Sequence, residues 1–186
     1  MTDSLIAPSA RARLVVTMPQ EPSRIASSLA KHAEASFTAL TNTQDAFIHL
    51  ARRAKDRLVV MTPFIDVSGA SWAGDLFEAT NAPNKTLIVR DAAQLDACGT
   101  QGTRLKALSS NVWDYAFYDS GDNSQTQLET FHAKIVLADG AAAYVGSANF
   151  LHRSREHNLE CGFLLDGDAV APVSILIDAV LAMFSE

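Results

Sequence analysis

Apolar residues along the chain recur with two different spacings, which predict a succession of strands and helices. Residues 13–18 and 58–61 are short, mostly apolar runs of strand length. The segments that begin at the potential capping residues Ser23 and Thr43 instead repeat apolar residues at the spacing of a helix face. The same patterns predict, in chain order, a loop at 62–69, a helix near 72–80, a strand at 86–89, a helix near 104–109 and a strand at 112–118.

Strands dominate the last third of the chain. Residues 119–130 are polar and predict a loop. Helices that alternate with strands, followed by clustered strands, are typical of α/β proteins. The sequence therefore predicts a single α/β domain over residues 1–186, with a mixed β-sheet flanked by helices on both faces. Its last elements are expected to be strands at 131–138, 142–145 and 158–165, a turn at Asp139 and Gly140, and a helix from Asp168.

Composition limits the class of protein. Of the 186 residues, 48% are apolar and 19% are charged, which suits a folded core and argues against disorder. The formal net charge of −6 excludes a protein coated in positive potential, so a polyanionic ligand has to meet a local basic patch. Cys98 and Cys161 fit neither a metal motif nor a disulfide framework, and the apolar neighbours of Cys161 predict a core position.

Location is also constrained by the apolar pattern. No apolar run reaches the roughly 18 residues of a membrane span, and the N-terminal residues lack the apolar stretch of a signal peptide. We therefore expect a soluble cytoplasmic protein that does not act as a membrane protein. No cluster of metal-ligating side chains stands out, so neither a metal nor another cofactor is expected.

The strand predicted at 131–138 carries two polar residues at one end. Because successive side chains of a strand point to opposite faces, His132 and Lys134 share one face, and the other face is entirely apolar. A buried lysine requires an anionic partner, which is either a carboxylate or the phosphate of a substrate. The ordinary alternative is a structural ion pair at the end of the strand.

Two later segments place polar residues at comparable positions. Gly146 permits close approach of the backbone to a ligand, and Ser147 and Asn149 offer short hydrogen-bond donors suited to phosphate oxygens. Glu160 opens the next apolar strand, so three strand ends are expected to present these groups to one place. Turn chemistry is the alternative for Ser147 and Asn149, and a buried ion pair is the alternative for Glu160.

The spacing of these residues resembles a known signature. The phospholipase D superfamily is matched by His132-x-Lys134, four residues, Asp139, six residues and Gly146-Ser147-x-Asn149, followed by Asn158-x-Glu160. The resemblance implies a phospholipase-D-like fold and a phosphodiesterase that needs no metal, because lysine takes the place of a cation. The branch that it resembles most is that of small bacterial nucleases with a single motif. The stretch YVGSANF…EHNLECGFLL more loosely resembles phospholipase-D-like components of anti-phage systems such as DISARM.

The resemblance implies a division of labour at the site. His132 attacks phosphorus and forms a phosphohistidine, while Lys134, Ser147 and Asn149 hold the phosphate oxygens. A second histidine protonates the leaving oxygen and then activates water. Since the motif occurs once, the resemblance implies a homodimer in which each subunit supplies one histidine.

Supporting roles are expected for the residues around this centre. Glu160 is expected to orient the nucleophilic ring. Asp139 is expected to fix the local backbone or to support the partner's histidine, and an ordinary hairpin turn is its alternative. Substrate is expected to contact Gly146, Arg153 and Arg155, and a solvated turn is the alternative for the two arginines.

Three functions are compatible with this pattern. The first is a metal-independent endonuclease that cleaves DNA or RNA. The second is a phospholipid hydrolase or transferase, and the third is a nucleic-acid-binding subunit of an anti-phage defence complex. Lipid-acting members of the family usually have two motifs and often membrane-facing elements, which this sequence lacks, so the nuclease is favoured.

Overall fold

The computed structural model describes residues 10–32, 42–118 and 127–184. Its strands are β1 (Arg11–Thr17), β2 (Arg57–Thr62), β3 (Asn84–Val89), β4 (Asn111–Asp114), β5 (Phe117–Tyr118), β6 (Gln127–Glu129), β7 (Ile135–Ala138), β8 (Ala142–Gly146) and β9 (Glu160–Asp166). Its α-helices are α1 (Arg24–His32), α2 (Thr43–Arg53), α3 (Val67–Ala79), α4 (Ala93–Ala97), α5 (Gly99–Leu108), α6 (His152–Glu156) and α7 (Ala171–Ala182), and a 3₁₀ turn at Gly167–Val170 precedes α7.

Seven strands form one mixed sheet in the order β1-β9-β8-β7-β2-β3-β4. The strands β2, β3 and β4 are parallel to one another, while the pairs β2 with β7, β7 with β8, β8 with β9 and β9 with β1 are antiparallel. The predicted mixed sheet is therefore confirmed. This arrangement brings the ends of β2, β3 and β8 to the same edge of the sheet as the beginnings of β7 and β9.

Helices cover both faces of the sheet, as the sequence predicts. On one face α2 and α3 bury a core that contains Phe47, Leu50 and Phe77 against Val60 and Val136 of the sheet. On the other face α7 buries a second core that includes Ile177, Val180, Val59 and Leu137. None of the helices in the described ranges is both long and apolar enough to cross a bilayer.

Successive side chains in the segment ahead of β7 point to opposite faces, as predicted. The hydrogen-bonded strand itself is shorter than predicted. Regular strand begins only at Ile135 rather than at residue 131. Phe131 nevertheless belongs to the second core, together with Ile135 and Leu137, while Val136 belongs to the first. His132 and Lys134 therefore keep the placement that the alternation predicts.

Several helix and strand boundaries differ from those that the sequence predicts. The strand predicted at 112–118 divides into β4 and β5, and α4 was not predicted. Of the loop predicted at 119–130, residues 119–126 lie outside the described part of the chain, and Gln127–Glu129 forms β6 against β5. The α2 helix is capped by Asn42, whose side chain accepts a hydrogen bond from the Asp45 amide, rather than by Thr43.

The core position predicted for Cys161 is wrong. Glu160 and Gly162 are buried, whereas Cys161 and Phe163 are exposed on the opposite face of β9. Leu14 lies directly across from Phe163 on the neighbouring strand β1 and is 41% exposed. An apolar run shows that a strand lies beside a core, but it does not show which part of each face a helix covers.

Candidate active site

The three polar segments predicted to converge do meet at one edge of the sheet. The Gly146 amide donates to the Lys134 carbonyl oxygen over 3.2 Å, which fixes the end of β8 beside the segment ahead of β7. The Ser147 amide donates to the Cys161 carbonyl oxygen over 2.9 Å, which fixes it beside the start of β9. Backbone hydrogen bonds therefore hold the three segments in register.

Lys134 is almost completely buried, and its ammonium group contacts His132. Lys134 Nζ lies 2.8 Å from His132 Nδ1, 3.1 Å from His132 Nε2 and 2.7 Å from the His132 carbonyl oxygen. Burial lowers the pKa of Lys134, and the opposite charge of Glu160 works against this shift. The His132 side chain is exposed. An imidazole ring that solvent can reach thus lies beside a desolvated ammonium group.

Glu160 is buried and receives two side-chain hydrogen bonds. Its Oε2 accepts from the Ser147 hydroxyl, and its Oε1 accepts from Asn158 Nδ2 over 3.1 Å. The Ser147 oxygen in turn accepts from the Cys161 amide over 3.0 Å. Among the described residues the hydrogen bonds of Glu160 do not include His132, so its predicted orienting role remains a prediction.

Gly146 lies where a side chain would collide with the protein interior. A Cβ atom at this position would lie 2.3 Å from the Tyr144 hydroxyl and 2.7 Å from the Cys161 carbonyl oxygen. A Cβ atom at Gly162 would lie 2.5 Å from the Tyr144 ring. Tyr144 is fully buried beneath both glycines, and burial raises its pKa to about 12. The Tyr144 ring alone is therefore enough to explain why residue 146 is a glycine, and close approach of a ligand is a second possible reason.

Asn149 follows this cluster in a tight segment. It is partly buried, and its Oδ1 atom is buried with no hydrogen-bond partner in the described ranges. A buried amide oxygen without a partner is costly, which is compatible with a group that is satisfied only when a ligand or partner is present. Nearby, the Phe150 amide donates to the Thr62 hydroxyl, which ties this segment to the end of β2.

Asp139 does not belong to this cluster within one subunit. It lies at the opposite end of β7 from Lys134, about 16 Å away at the rise of an extended strand. Its carboxylate accepts hydrogen bonds from the backbone amides of Lys55, Asp56 and Arg57, and it adopts a φ of 58°.

The environment of Asp139 also agrees with a structural role. Burial alone would raise the pKa of Asp139, but the backbone hydrogen bonds from Arg57, Asp56 and Lys55 outweigh it and the pKa lies below its ordinary value. Within one subunit the structure does not bring Asp139 to the His132 cluster, so a catalytic role for Asp139 stays a prediction. The contacts of Asp139 are those of the predicted backbone-fixing role. The length of β7 places Asp139 away from the His132 cluster.

The two arginines of α6, Arg153 and Arg155, have different surroundings. Arg153 is exposed. Arg155 stacks over the Trp72 ring, with Cζ 5.5 Å from the ring centroid, and donates to Gln44 Oε1 over 3.2 Å. This places Arg155 among residues of α2 and α3, and its described contacts do not include the His132 cluster. Substrate contact by these arginines stays a prediction.

Phe64, which the sequence did not indicate, lies beside His132, and Arg90, also not indicated, lies beside Phe64. The Phe64 ring centroid is 5.9 Å from that of His132, in an edge-on arrangement. The Arg90 guanidinium carbon is 5.8 Å from the Phe64 centroid. Both residues follow the carboxyl ends of parallel strands, Phe64 after β2 and Arg90 after β3. The strand order β7-β2-β3 brings Phe64 next to the histidine and Arg90 next to Phe64.

Comparisons with known proteins agree with this arrangement. A family model described as "Cardiolipin synthase, PLD-like domain" matches residues 47–175, which include the whole cluster. None of the curated protein sequences matches the chain. Among solved structures, NucT from Helicobacter pylori is similar with a TM-score of 0.59 and 14% identity, covering 94% of this chain and 97% of NucT.

Two further solved structures resemble the chain. Nuc from Salmonella typhimurium, described as a phospholipase D family member, has a TM-score of 0.51 and 12% identity, with 90% of each chain covered. Phosphatidylserine synthase from Haemophilus influenzae has a TM-score of 0.51 and 13% identity, with 93% of this chain and 38% of that protein covered. At such identities the likeness shows the fold alone.

Proposed function

This chain belongs to the phospholipase-D-like family, and on that basis we propose that it is a metal-independent phosphodiesterase that cleaves nucleic acid through a phosphohistidine at His132. One observation carries the proposal: the buried Lys134 ammonium lies 2.8 and 3.1 Å from the ring nitrogens of an exposed histidine. A cation in this position suits a phosphate group, because a phosphate oxygen can accept the hydrogen bond that the ring nitrogen now accepts. Binding of substrate then frees the ring nitrogen for attack.

The first chemical step forms a bond between His132 and phosphorus. The lone pair of the neutral ring makes the P–N bond as the P–O ester bond breaks, and the leaving oxygen takes a proton from a second imidazole. Lys134 stabilises the negative charge that moves over the phosphate oxygens. In the second step water attacks phosphorus, the second imidazole accepts a proton from that water, the P–N bond breaks and His132 is restored.

A second subunit supplies the second imidazole in this proposal. Among the described residues, the polar contacts of the His132 ring are with Lys134. Leu14 and Phe163 are cross-strand partners on β1 and β9 and are 41% and 50% exposed, and Leu159, the neighbour of Glu160 in the chain, is 47% exposed. Large exposed apolar side chains that adjoin one another favour a protein interface. A two-fold pairing over this surface would bring two copies of the site together.

Nucleic acid is favoured as substrate because the single motif resembles that of small bacterial nucleases. NucT and Nuc match this chain over 90% or more of their own lengths, whereas the chain spans 38% of phosphatidylserine synthase. A phospholipid substrate is the second candidate, because the matching family model is described as a cardiolipin synthase domain. Vesicles and oligonucleotides therefore have to be compared directly.

The test is cleavage in the presence of EDTA. Purified wild-type protein and the His132→Ala variant are incubated with plasmid, single-stranded DNA, RNA and phosphatidylglycerol vesicles. We expect the wild type to cleave nucleic acid without divalent metal, and the variant to be inactive. Denaturation with detergent at alkaline pH during turnover is expected to trap the phosphorylated substrate fragment on His132 of the wild-type protein, as a base-stable and acid-labile adduct. Cleavage that requires magnesium, or that survives in His132→Ala, contradicts the proposal.

A further inference from the structure

We propose that Phe64 and Arg90 form a recognition ledge that stacks an unpaired nucleobase next to the scissile phosphate. This inference rests on the proposed function and specifies its substrate as single-stranded nucleic acid. Phe64 makes a T-shaped contact with His132, with 5.9 Å between the ring centroids. A group stacked on Phe64 would lie about one nucleotide from the attacked phosphorus.

The backbone that carries Phe64 is held in place from several sides. The Phe64 carbonyl oxygen accepts from the Thr62 hydroxyl over 3.0 Å, and the Ile65 amide donates to Gln94 Oε1 over 3.1 Å. Gln94 Nε2 also donates to the Pro63 carbonyl oxygen over 3.2 Å. Phe64 itself is only partly buried, unlike its neighbours Pro63 and Ile65. A partly exposed aromatic ring on a fixed backbone is a preorganised stacking surface.

Arg90 adds a cation to the same ledge. Its guanidinium carbon is 5.8 Å from the Phe64 centroid, within the range of a cation–π contact. The backbone around Arg90 is anchored because the Tyr115 amide donates to the carbonyl oxygen of the preceding Val89 over 2.9 Å. An aromatic ring together with an arginine is the combination that binds single strands, with the ring stacking on a base and the cation meeting the backbone.

The positive charge of the ledge favours an uncharged nucleobase over a cationic lipid headgroup. The Arg90 guanidinium lies over the Phe64 ring, and its positive charge repels a second cation such as a quaternary ammonium headgroup. A nucleobase has no such charge, and its phosphates are attracted. A base within a duplex already has both faces stacked, so it can use Phe64 only after it leaves the stack. Unpaired nucleotides are therefore the ligand that the ledge fits.

The experiment compares two single-stranded substrates of equal length, a thymidine oligonucleotide and its abasic counterpart. The measured quantity is the ratio of kcat/KM for the base-bearing substrate to that for the abasic substrate. We expect Phe64→Leu to lower this ratio by about 10- to 100-fold. Phe64→Tyr, the matched control that keeps the ring, is expected to retain most of the wild-type ratio. Arg90→Gln is expected to lower kcat/KM on both substrates and to weaken its dependence on salt.

Two outcomes overturn the ledge. If Phe64→Leu reduces kcat/KM equally on both substrates, the role of Phe64 is only to position the His132 ring. If the ratio does not change, Phe64 does not meet a base. Circular dichroism and unfolding curves show whether the variants remain folded.

A binding measurement distinguishes failure of the ledge from failure of the proposed function. In the His132→Ala background, fluorescence anisotropy reports the dissociation constant for the thymidine oligonucleotide with and without Phe64→Leu. The ledge requires about tenfold weaker binding or more when the ring is absent. If the wild type cuts neither oligonucleotide but this difference persists, the proposed function is wrong and the ledge stands. Hydrolysis of phosphatidylglycerol vesicles without oligonucleotide binding overturns both.

Discussion

The Ser147 hydroxyl donates a hydrogen bond to the buried Glu160 carboxylate, and the same oxygen accepts the Cys161 amide. Ser147 therefore joins a catalytic-motif segment to the first residues of β9. This relationship gives Ser147 a measurable structural role in addition to its proposed contact with phosphate.

For Ser147→Ala we expect a loss of about 1–3 kcal/mol in the free energy of unfolding, because a buried carboxylate oxygen and an amide lose their partner. Urea denaturation measures this loss, and kcat measured under conditions where the variant remains folded gives the separate contribution to catalysis. Ser147→Cys is a control of similar size. Unchanged stability in Ser147→Ala would show that the Glu160 contact contributes nothing.

Replacement of Lys134 is expected to affect stability and activity in different directions. Lys134→Met removes a buried ammonium that burial makes costly, so the free energy of unfolding is expected to stay the same or rise. Activity is expected to fall by about 10²–10³ in kcat, since the phosphate charge loses its cation. Chemical denaturation and steady-state kinetics check the two parts.

The opposite result identifies Lys134 as a structural group. If its charge mainly balances buried Glu160, removal of the lysine leaves that carboxylate unpaired and destabilises the protein by about 3–5 kcal/mol. Such a loss, with kcat of the folded fraction maintained, would contradict the phosphate-binding role.

Asp139 is expected to contribute to stability in a pH-dependent way. Its pKa is lowered in the folded protein, so its contribution is present above the unfolded-state pKa and is lost as pH falls through the lower folded-state value. Asp139→Asn is expected to cost about 1–2 kcal/mol at neutral pH and progressively less in acid. Asparagine tolerates a positive φ, so the backbone conformation is retained.

Unfolding curves at several pH values test this dependence, and kcat at neutral pH tests the separation from the site. We expect kcat to remain near that of the wild type. A drop in kcat as large as that of His132→Ala would place Asp139 in the catalytic machinery, across the dimer interface rather than within one subunit.

The exposed surface of β1 and β9 is expected to hold the second subunit. Phe163→Asp puts a charge opposite Leu14, and we expect it to convert a dimer to a monomer and to remove activity. Light scattering coupled to gel filtration measures the mass. Ile175→Asp on α7 is the matched control, because Ile175 is 69% exposed and lies on a different element. An active Phe163→Asp monomer would rule out the shared site.

Local pattern was enough to predict that His132 and Lys134 lie together and to predict the class of fold. Alternation along 131–138 placed His132 and Lys134 together, and it holds even where the regular strand has not begun. The mixed sheet followed from the order of strands and helices. These features depend on neighbours in the chain, which a sequence displays directly.

The remaining features depend on long-range packing. Phe64 approaches His132 because β7 pairs with β2, and Arg90 approaches Phe64 because β2 pairs with β3. The exposure of Cys161 depends on which part of the sheet α7 covers.

Tyr144 packs in the protein interior and also contacts two backbone segments of the candidate site, those at Gly146 and Gly162. Its ring packs against Phe47 of α2 with 4.8 Å between centroids, while its hydroxyl end lies beneath Gly146 and Gly162. Any repacking of α2 that shifts Phe47 will therefore be transmitted to the backbone that holds Ser147 and Glu160. Thermostabilising substitutions around that helix have to be screened for turnover as well as for melting temperature, because a tighter interior can distort the reaction centre without altering any residue in it.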